Sequence, residues 1–233
     1  MKKSKIIIIV LTGIAILTAG IICKQEFFLM IPLFVSLFVM AFQSDANRIG
    51  LLIGTVNSAI YTACYVYMGV YASAASSILF SFPMQLGAFF SWKKRAYKKT
   101  AIFRKMTKKQ RIIFVSALVL SWVTLAAVFN HLEYEYAVLD SITFILGFVV
   151  PILTMLAYIE YTYLWIISAA IGLMLNIQMV INDYKETTYL IYGVYALYCV
   201  ILAFINVRKF YKEQQTAIKS GELQTENGGI TNE

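Results

Sequence analysis

Residues 93–130 read KKRAYKKTAIFRKMTKKQRIIFVSALVLSWVTLAAVFN, a strongly basic run followed without interruption by an apolar run that carries no charge. The second half has the length and composition of a helix crossing hydrocarbon, which needs roughly 20 apolar residues to cover about 30 Å. The first half has the composition of a loop on the cytoplasmic face of a membrane, where Lys and Arg accumulate. The whole chain agrees: 60% of its 233 residues are hydrophobic and 14% charged, against roughly 45–50% and about 25% in a soluble domain. A soluble fold of this size has too little interior to hide that much apolar surface.

Outward from this stretch, apolar runs recur at about 6–23, 27–43, 49–69, 71–92, 112–130, 138–156, 163–182 and 188–207, and Asp140 is the one formally charged residue inside them. Their continuity excludes a β-barrel, whose strands would alternate over about 10 residues. The sequence therefore predicts an all-α integral membrane protein of about eight transmembrane helices. With an even count and a cytoplasmic N-terminus, the basic residues Lys24 and Lys185 fall outside and every other Lys and Arg falls inside. That asymmetry puts both termini in the cytoplasm of a plasma-membrane protein. The net charge of +8 is thus assigned to the anionic lipid of the inner leaflet, a lipid partner and not a nucleic acid.

At the N-terminus, MKKSK followed by an apolar run through Cys23 is longer than the usual signal-peptide core of 7–15 residues and precedes no clear small-x-small site. It reads as an uncleaved helix; its removal would leave seven spans in the same orientation. The connections within spans two to four and within spans six to eight are very short, and one span lies between these triplets. The organisation is then an N-terminal helix (1–26), a first three-helix repeat (27–92), a basic cytoplasmic loop (93–111), a linker helix (112–130), a second three-helix repeat (131–207) and a polar cytoplasmic tail (208–233), expected to be disordered. A single linker helix makes the two repeats parallel, as in sugar carriers of the SWEET type. Two pairs, Pro32 with Pro151 and Asn57 with Asn176, share one sequence offset and lend this mild support.

Enzymatic chemistry finds no foothold. The one histidine, His131, lies in an outer loop beside Glu133 and Glu135; HExxH, Walker A and GxGxxG patterns are missing, so no catalytic, metal or cofactor site is expected. Cys23, Cys64 and Cys199 sit in apolar runs without metal or redox spacing. The spans do carry neutral amides and rings, the mixture that stacks on an aromatic solute and holds its hydroxyls or carboxamide. The candidate substrate-binding residues are Gln85, Asn57, Trp165, Asn176, Gln178, Tyr61 and Tyr192, with Tyr65, Tyr195 and Tyr198 as further rings. For any one amide the competing role is an interhelical hydrogen bond. Gly50 and Gly54 form a GxxxG that lets helices approach closely. Asp140, alone near the outer end of its span, supplies no proton relay, so uniport is the simpler expectation.

The stretch PMQLGAFFSWKKR (83–95) with FRKMTKKQR (103–111) resembles the PMQ-to-Trp segment and linker approach of PnuC-type vitamin transporters. GVYASAASSILFSF (69–82), DSITFILGF (140–148) and YIEYTYLWII (158–167) are similar to that family's hairpin and to the opening of its second repeat. The resemblance covers about residues 27–210. It implies a SWEET-like 3 + 1 + 3 fold, a possible homotrimer, and facilitated diffusion of nicotinamide riboside, thiamine, riboflavin or deoxynucleosides, trapped by phosphorylation in the cytosol. Gln85, Trp92 and Trp165 match the family's pattern. Ala88 stands where its glycine is expected, Ala169 where an amide is frequent, and Cys199, Ala203 and Val207 where riboside carriers tend to have Asn, Gly and Trp. A membrane assembly or sensor protein presenting the 93–111 loop is the reading of a different class.

Overall fold

The computed structural model describes residues 3–69, 71–131, 137–182, 184–220, 224–226 and 229–231. Helix α1 spans Lys3–Ile22, α2 Phe27–Ser44 and α3 Ile49–Tyr67. Helix α4 starts at Tyr71–Ser76, passes through a π-helical turn at Ser77–Ser81 and continues as Phe82–Lys94. Helix α5 spans Lys108–His131, α6 Ala137–Met155, α7 Tyr161–Asn182 and α8 Thr187–Lys219. Among the described residues seven helices are long and apolar enough to cross a membrane, and α6 is the shorter one. The order is one helix, then three, one and three, as expected. Glu133, Glu135 and the side chain of Asp140 lie outside the described residues, and His131 is exposed.

Hydrogen bonds at one end of the bundle fix the direction of the triplets. After α2, the Arg48 N–H donates to the Lys99 carbonyl, and after α6 the Arg104 N–H donates to the Ala157 carbonyl. The C-termini of α2 and α6 thus meet the same loop, and the two triplets run the same way. Both helices end alike: Ala46 and Ala157 take left-handed φ of 50° and 56°, with the Asn47 and Tyr158 N–H groups donating back to the Phe42 and Leu153 carbonyls. This is the Schellman closure, with buried alanines where glycine is the usual choice. The common offset of Pro32 and Pro151 is a different matter, because Pro32 lies in the first turns of α2 and Pro151 in the last turns of α6.

Helix α1 belongs to the bundle. Ile9 and Ile16 are buried with Leu33, Leu37 and Val200 of α2 and α8, and the Lys5 ammonium donates to Asp45 Oδ1 at 2.6 Å and to Ser44 Oγ at 2.7 Å. At the opposite end Gln25 Nε2 donates to the Lys185 carbonyl and accepts from the Thr188 hydroxyl through Oε1.

At the basic end the loop has its own fold, and one expectation, disorder directly after Arg208, fails. The 93–111 loop is folded: Ala96–Tyr97 pairs with Thr100–Ala101 as a short antiparallel hairpin, and Thr100, Ala101, Ile102 and Phe103 are buried. The segment after Arg208 is helical through Lys219, because its residues pack under that loop. Gln214, 1% exposed, accepts from the Phe103 N–H at 2.9 Å and donates to the Ala101 carbonyl at 2.9 Å. Glu160 Oε1 accepts from the Met106 N–H and from Arg111. Burial and the charge of Arg104 lower the Arg95 pKa from its ordinary value.

Gln214→Ala would leave two buried backbone groups unpaired, at about 1–3 kcal/mol for each group. The expected outcome is an apparent melting temperature lower by several degrees in detergent, whereas Gln215→Ala, on the exposed side of the same turn, leaves it within about one degree.

Candidate substrate cavity

A cavity of about 510 Å³ lies between α2, α3 and α4 of the first triplet and α6, α7 and α8 of the second. Proline shapes two of its walls. Pro83 offers no N–H to the turn before it, and the backbone there widens to the π-turn, where the Phe82 N–H donates to the Ser77 carbonyl. The widened turn brings Ser77 and Ser81 to the lining, and Pro151 faces it from α6.

The structure brings Gln85, Asn57, Tyr61, Tyr192 and Trp165 together around this cavity, with Tyr65 beside Tyr61. Asn57 Nδ2 donates to Ser36 Oγ at 2.7 Å, and Gln85 Nε2 donates to Ser58 Oγ at 3.1 Å. Ser58 in turn donates to the Gly54 carbonyl. The amide oxygens Asn57 Oδ1 and Gln85 Oε1 are buried and have no partner within the protein. Each amide has thus turned a donor to a serine and left a buried acceptor over, Gln85 Oε1 lying against Gly54. The rings are arranged in pairs: Tyr61 stacks on Tyr65 with centroids 5.8 Å apart, and Tyr161 meets Trp165 at 6.1 Å.

Asn176 and Gln178 do not line the cavity. Asn176 Nδ2 donates to the Tyr189 carbonyl of α8 at 3.1 Å, the interhelical bond that competes with any binding role. Gln178 is exposed on the outer surface of α7. Tyr195 is buried with its hydroxyl on the Leu37 carbonyl, and Tyr198 points outward, 41% exposed. Ser36, Ser58, Ser77 and Thr154 cannot be picked out along the chain, since a small hydroxyl residue in a membrane helix serves packing equally well. The spacing of Ser77 and Ser81 before Pro83 was the one available signal.

Glycine sets the position of Gln85. A Cβ on Gly54 would stand 1.7 Å from Gln85 Oε1, and one on Gly50 would stand 2.9 Å from the Gln43 backbone nitrogen. The GxxxG face therefore packs α2 through Gly50 and admits the Gln85 amide through Gly54. At the basic end the cavity finishes on Trp92, whose indole N–H donates to the Thr154 carbonyl at 2.6 Å. Phe103 of the folded loop packs edge-on behind it, centroids 5.5 Å apart.

A family model described as nicotinamide mononucleotide transporter matches residues 26–211. The chain belongs to that family. Among solved structures its fold matches "Crystal structure of the Vitamin B3 transporter PnuC" with a TM-score of 0.74, over 91% of this chain and 94% of that one, at 17% sequence identity. No curated protein matches the chain. Of the positions where this family member departs from the pattern expected of riboside carriers, Ala88 lines the cavity. Cys199, Ala203 and Val207 are buried and are not among the residues that line the cavity.

Gly54→Ala favours helix formation by about 1 kcal/mol yet is expected to turn Gln85 out of its place. Binding of the cargo, measured by calorimetry in detergent, should weaken about tenfold or more, with the melting temperature held or raised.

Proposed function

We propose that this protein is a facilitator that carries nicotinamide riboside or a related vitamin or nucleoside across the plasma membrane, with cytosolic phosphorylation trapping the cargo. The observation that carries the reading is the chemistry of the cavity: stacked rings, two unpartnered amide acceptors and, among the described lining residues, no charged side chain. A carboxamide N–H and ribose hydroxyls supply the donors those acceptors lack, and a cationic pyridinium ring is attracted to tyrosine and tryptophan faces. A phosphate would enter without a cation to meet it, at a desolvation cost of several kcal/mol. The unphosphorylated riboside thus fits better than the phosphorylated mononucleotide of the family's name. The same reasoning admits thiamine, riboflavin and deoxynucleosides, which are alternative cargoes in one class. We place the basic end in the cytosol, with both termini, because basic residues accumulate there.

Transport follows the cargo gradient in this reading, since the described lining residues include no carboxylate, histidine or lysine to couple a proton. Gln85, Asn57, Trp165, Tyr61 and Tyr192 are the residues proposed to hold the cargo. The linker helix α5, which buries no residue within the chain, is the surface left for lipid or for a homotrimer.

Uptake of labelled riboside, its mononucleotide, thiamine, riboflavin and deoxynucleosides into proteoliposomes tests the reading. Riboside or one of the other unphosphorylated solutes should accumulate to equilibrium without a proton gradient, and Gln85→Ala and Trp165→Ala should each lower the rate at least tenfold. Exclusive uptake of the mononucleotide, or of none of the solutes, would refute it.

A further inference from the structure

The last turn of α6 is capped in trans. Trp92 donates to the Thr154 carbonyl, Ser91 Oγ to the Met155 carbonyl at 2.6 Å, and Arg95 to the Met155 and Leu156 carbonyls at 2.9 and 3.2 Å. These three residues belong to the end of α4 and the turn after it, so the caps join the first triplet to the second at the basic end of the cavity. We propose that Trp92, Ser91 and Arg95 form the cytosolic gate of the cavity, and that release parts them from the last turn of α6.

Three features suit this seam to opening. Its bonds run from side chains to main-chain carbonyls, which water can take over at little cost once the end is wet. The last turn of α6 can swing, because Pro151 has no N–H for the Gly147 carbonyl and Gly147 has open space where a side chain would stand. The folded loop behind Trp92 is fastened chiefly to the second triplet, through Gln214, Glu160 and the Arg104 pairing with Ala157 and Ile159. It can travel with α6 and α8, withdrawing Phe103 from Trp92. Thr100 Oγ1 of the loop is buried without a partner, as is Glu160 Oε2 on the segment that the loop packs against, so this contact is incompletely satisfied where it now rests.

The inference rests on the carrier reading above, and its test needs no cargo. With Cys23, Cys64 and Cys199 replaced by alanine, a single cysteine is placed at the basic end of the cavity (Gln43→Cys) or towards the opposite end (Tyr65→Cys). Each is labelled in sealed vesicles with a membrane-impermeant maleimide presented to the basic side or the other side. Adding Ser91→Ala with Arg95→Ala is expected to speed labelling at position 43 from the basic side at least tenfold and to slow labelling at position 65 from the other side. Unchanged rates at both positions, or a rise at both as in a merely loosened bundle, would overturn the assignment. Should the double variant not elute as a monodisperse species, Trp92→Phe keeps the ring against Phe103, removes the N–H, and is read by the same two rates. A wild-type chain that carries none of the solutes would end the carrier reading while leaving these rates to decide the gate.

Discussion

The end of helix α6 lies within the bundle, and a helix end leaves its last carbonyls without intrahelical donors. Met155 and Leu156 find theirs on Ser91 and Arg95, and the Thr154 carbonyl, which also accepts from the Ala157 N–H, takes the Trp92 indole. Much of the architecture at the basic end follows from this one requirement. It sets α4 against α6, stands the Trp92 ring across the end of the cavity, and gives Phe103 a surface to pack on. The loop that carries Phe103 must then be folded, and it is held by Gln214 from a helix prolonged three turns past the apolar run.

Within the cavity the same demand for partners acts on side chains. Ser36 receives the Asn57 amide, while Ser58 links Gln85 to the Gly54 carbonyl. The serines therefore hold both amides in one orientation, with Gln85 Oε1 set against Gly54. A substitution that preserves the amide but removes the serine would free the amide to turn, exchanging acceptor for donor. Recognition is thus set by the pairs Asn57–Ser36 and Gln85–Ser58 more than by the amides alone.

The spans were legible because a charge in hydrocarbon is costly, so composition marks membrane boundaries sharply, and the 3 + 1 + 3 order followed from the short connections. The folded loop was hidden for the same reason: ten surrounding charges mask the small apolar island of Ala101, Ile102 and Phe103, whose partners are distant in sequence. Asn57 and Asn176 look alike along the chain, yet one faces the cavity and the other ties α7 to the Tyr189 carbonyl. What separates them is the neighbour across the helix interface, which sequence does not display. The correspondence of the repeats, too, shows itself in the paired alanines Ala46 and Ala157, and only a backbone reveals that these two take left-handed φ.

Cys199, Ala203 and Val207 depart from the pattern of riboside carriers, and their surroundings give a packing reason. Cys199 lies with Ile9 and Ile16 of α1 and Leu33 and Leu37 of α2, and about two turns further Asn206 donates to the Ser44 carbonyl at the end of α2. Small residues at 199 and 203 let α8 approach these helices closely, as small residues do in membrane interfaces. A tryptophan at Val207, which is 0% exposed beside Ala46 and Ala157, would have to displace the two tight turns that end α2 and α6. The end of α8 is therefore shaped by its neighbours α1 and α2 and by the turn geometry shared between the triplets. The cavity-facing set, by contrast, is carried on α2, α3, α4, the last turns of α6, α7 and the first turns of α8, and it can vary with cargo independently of that packing.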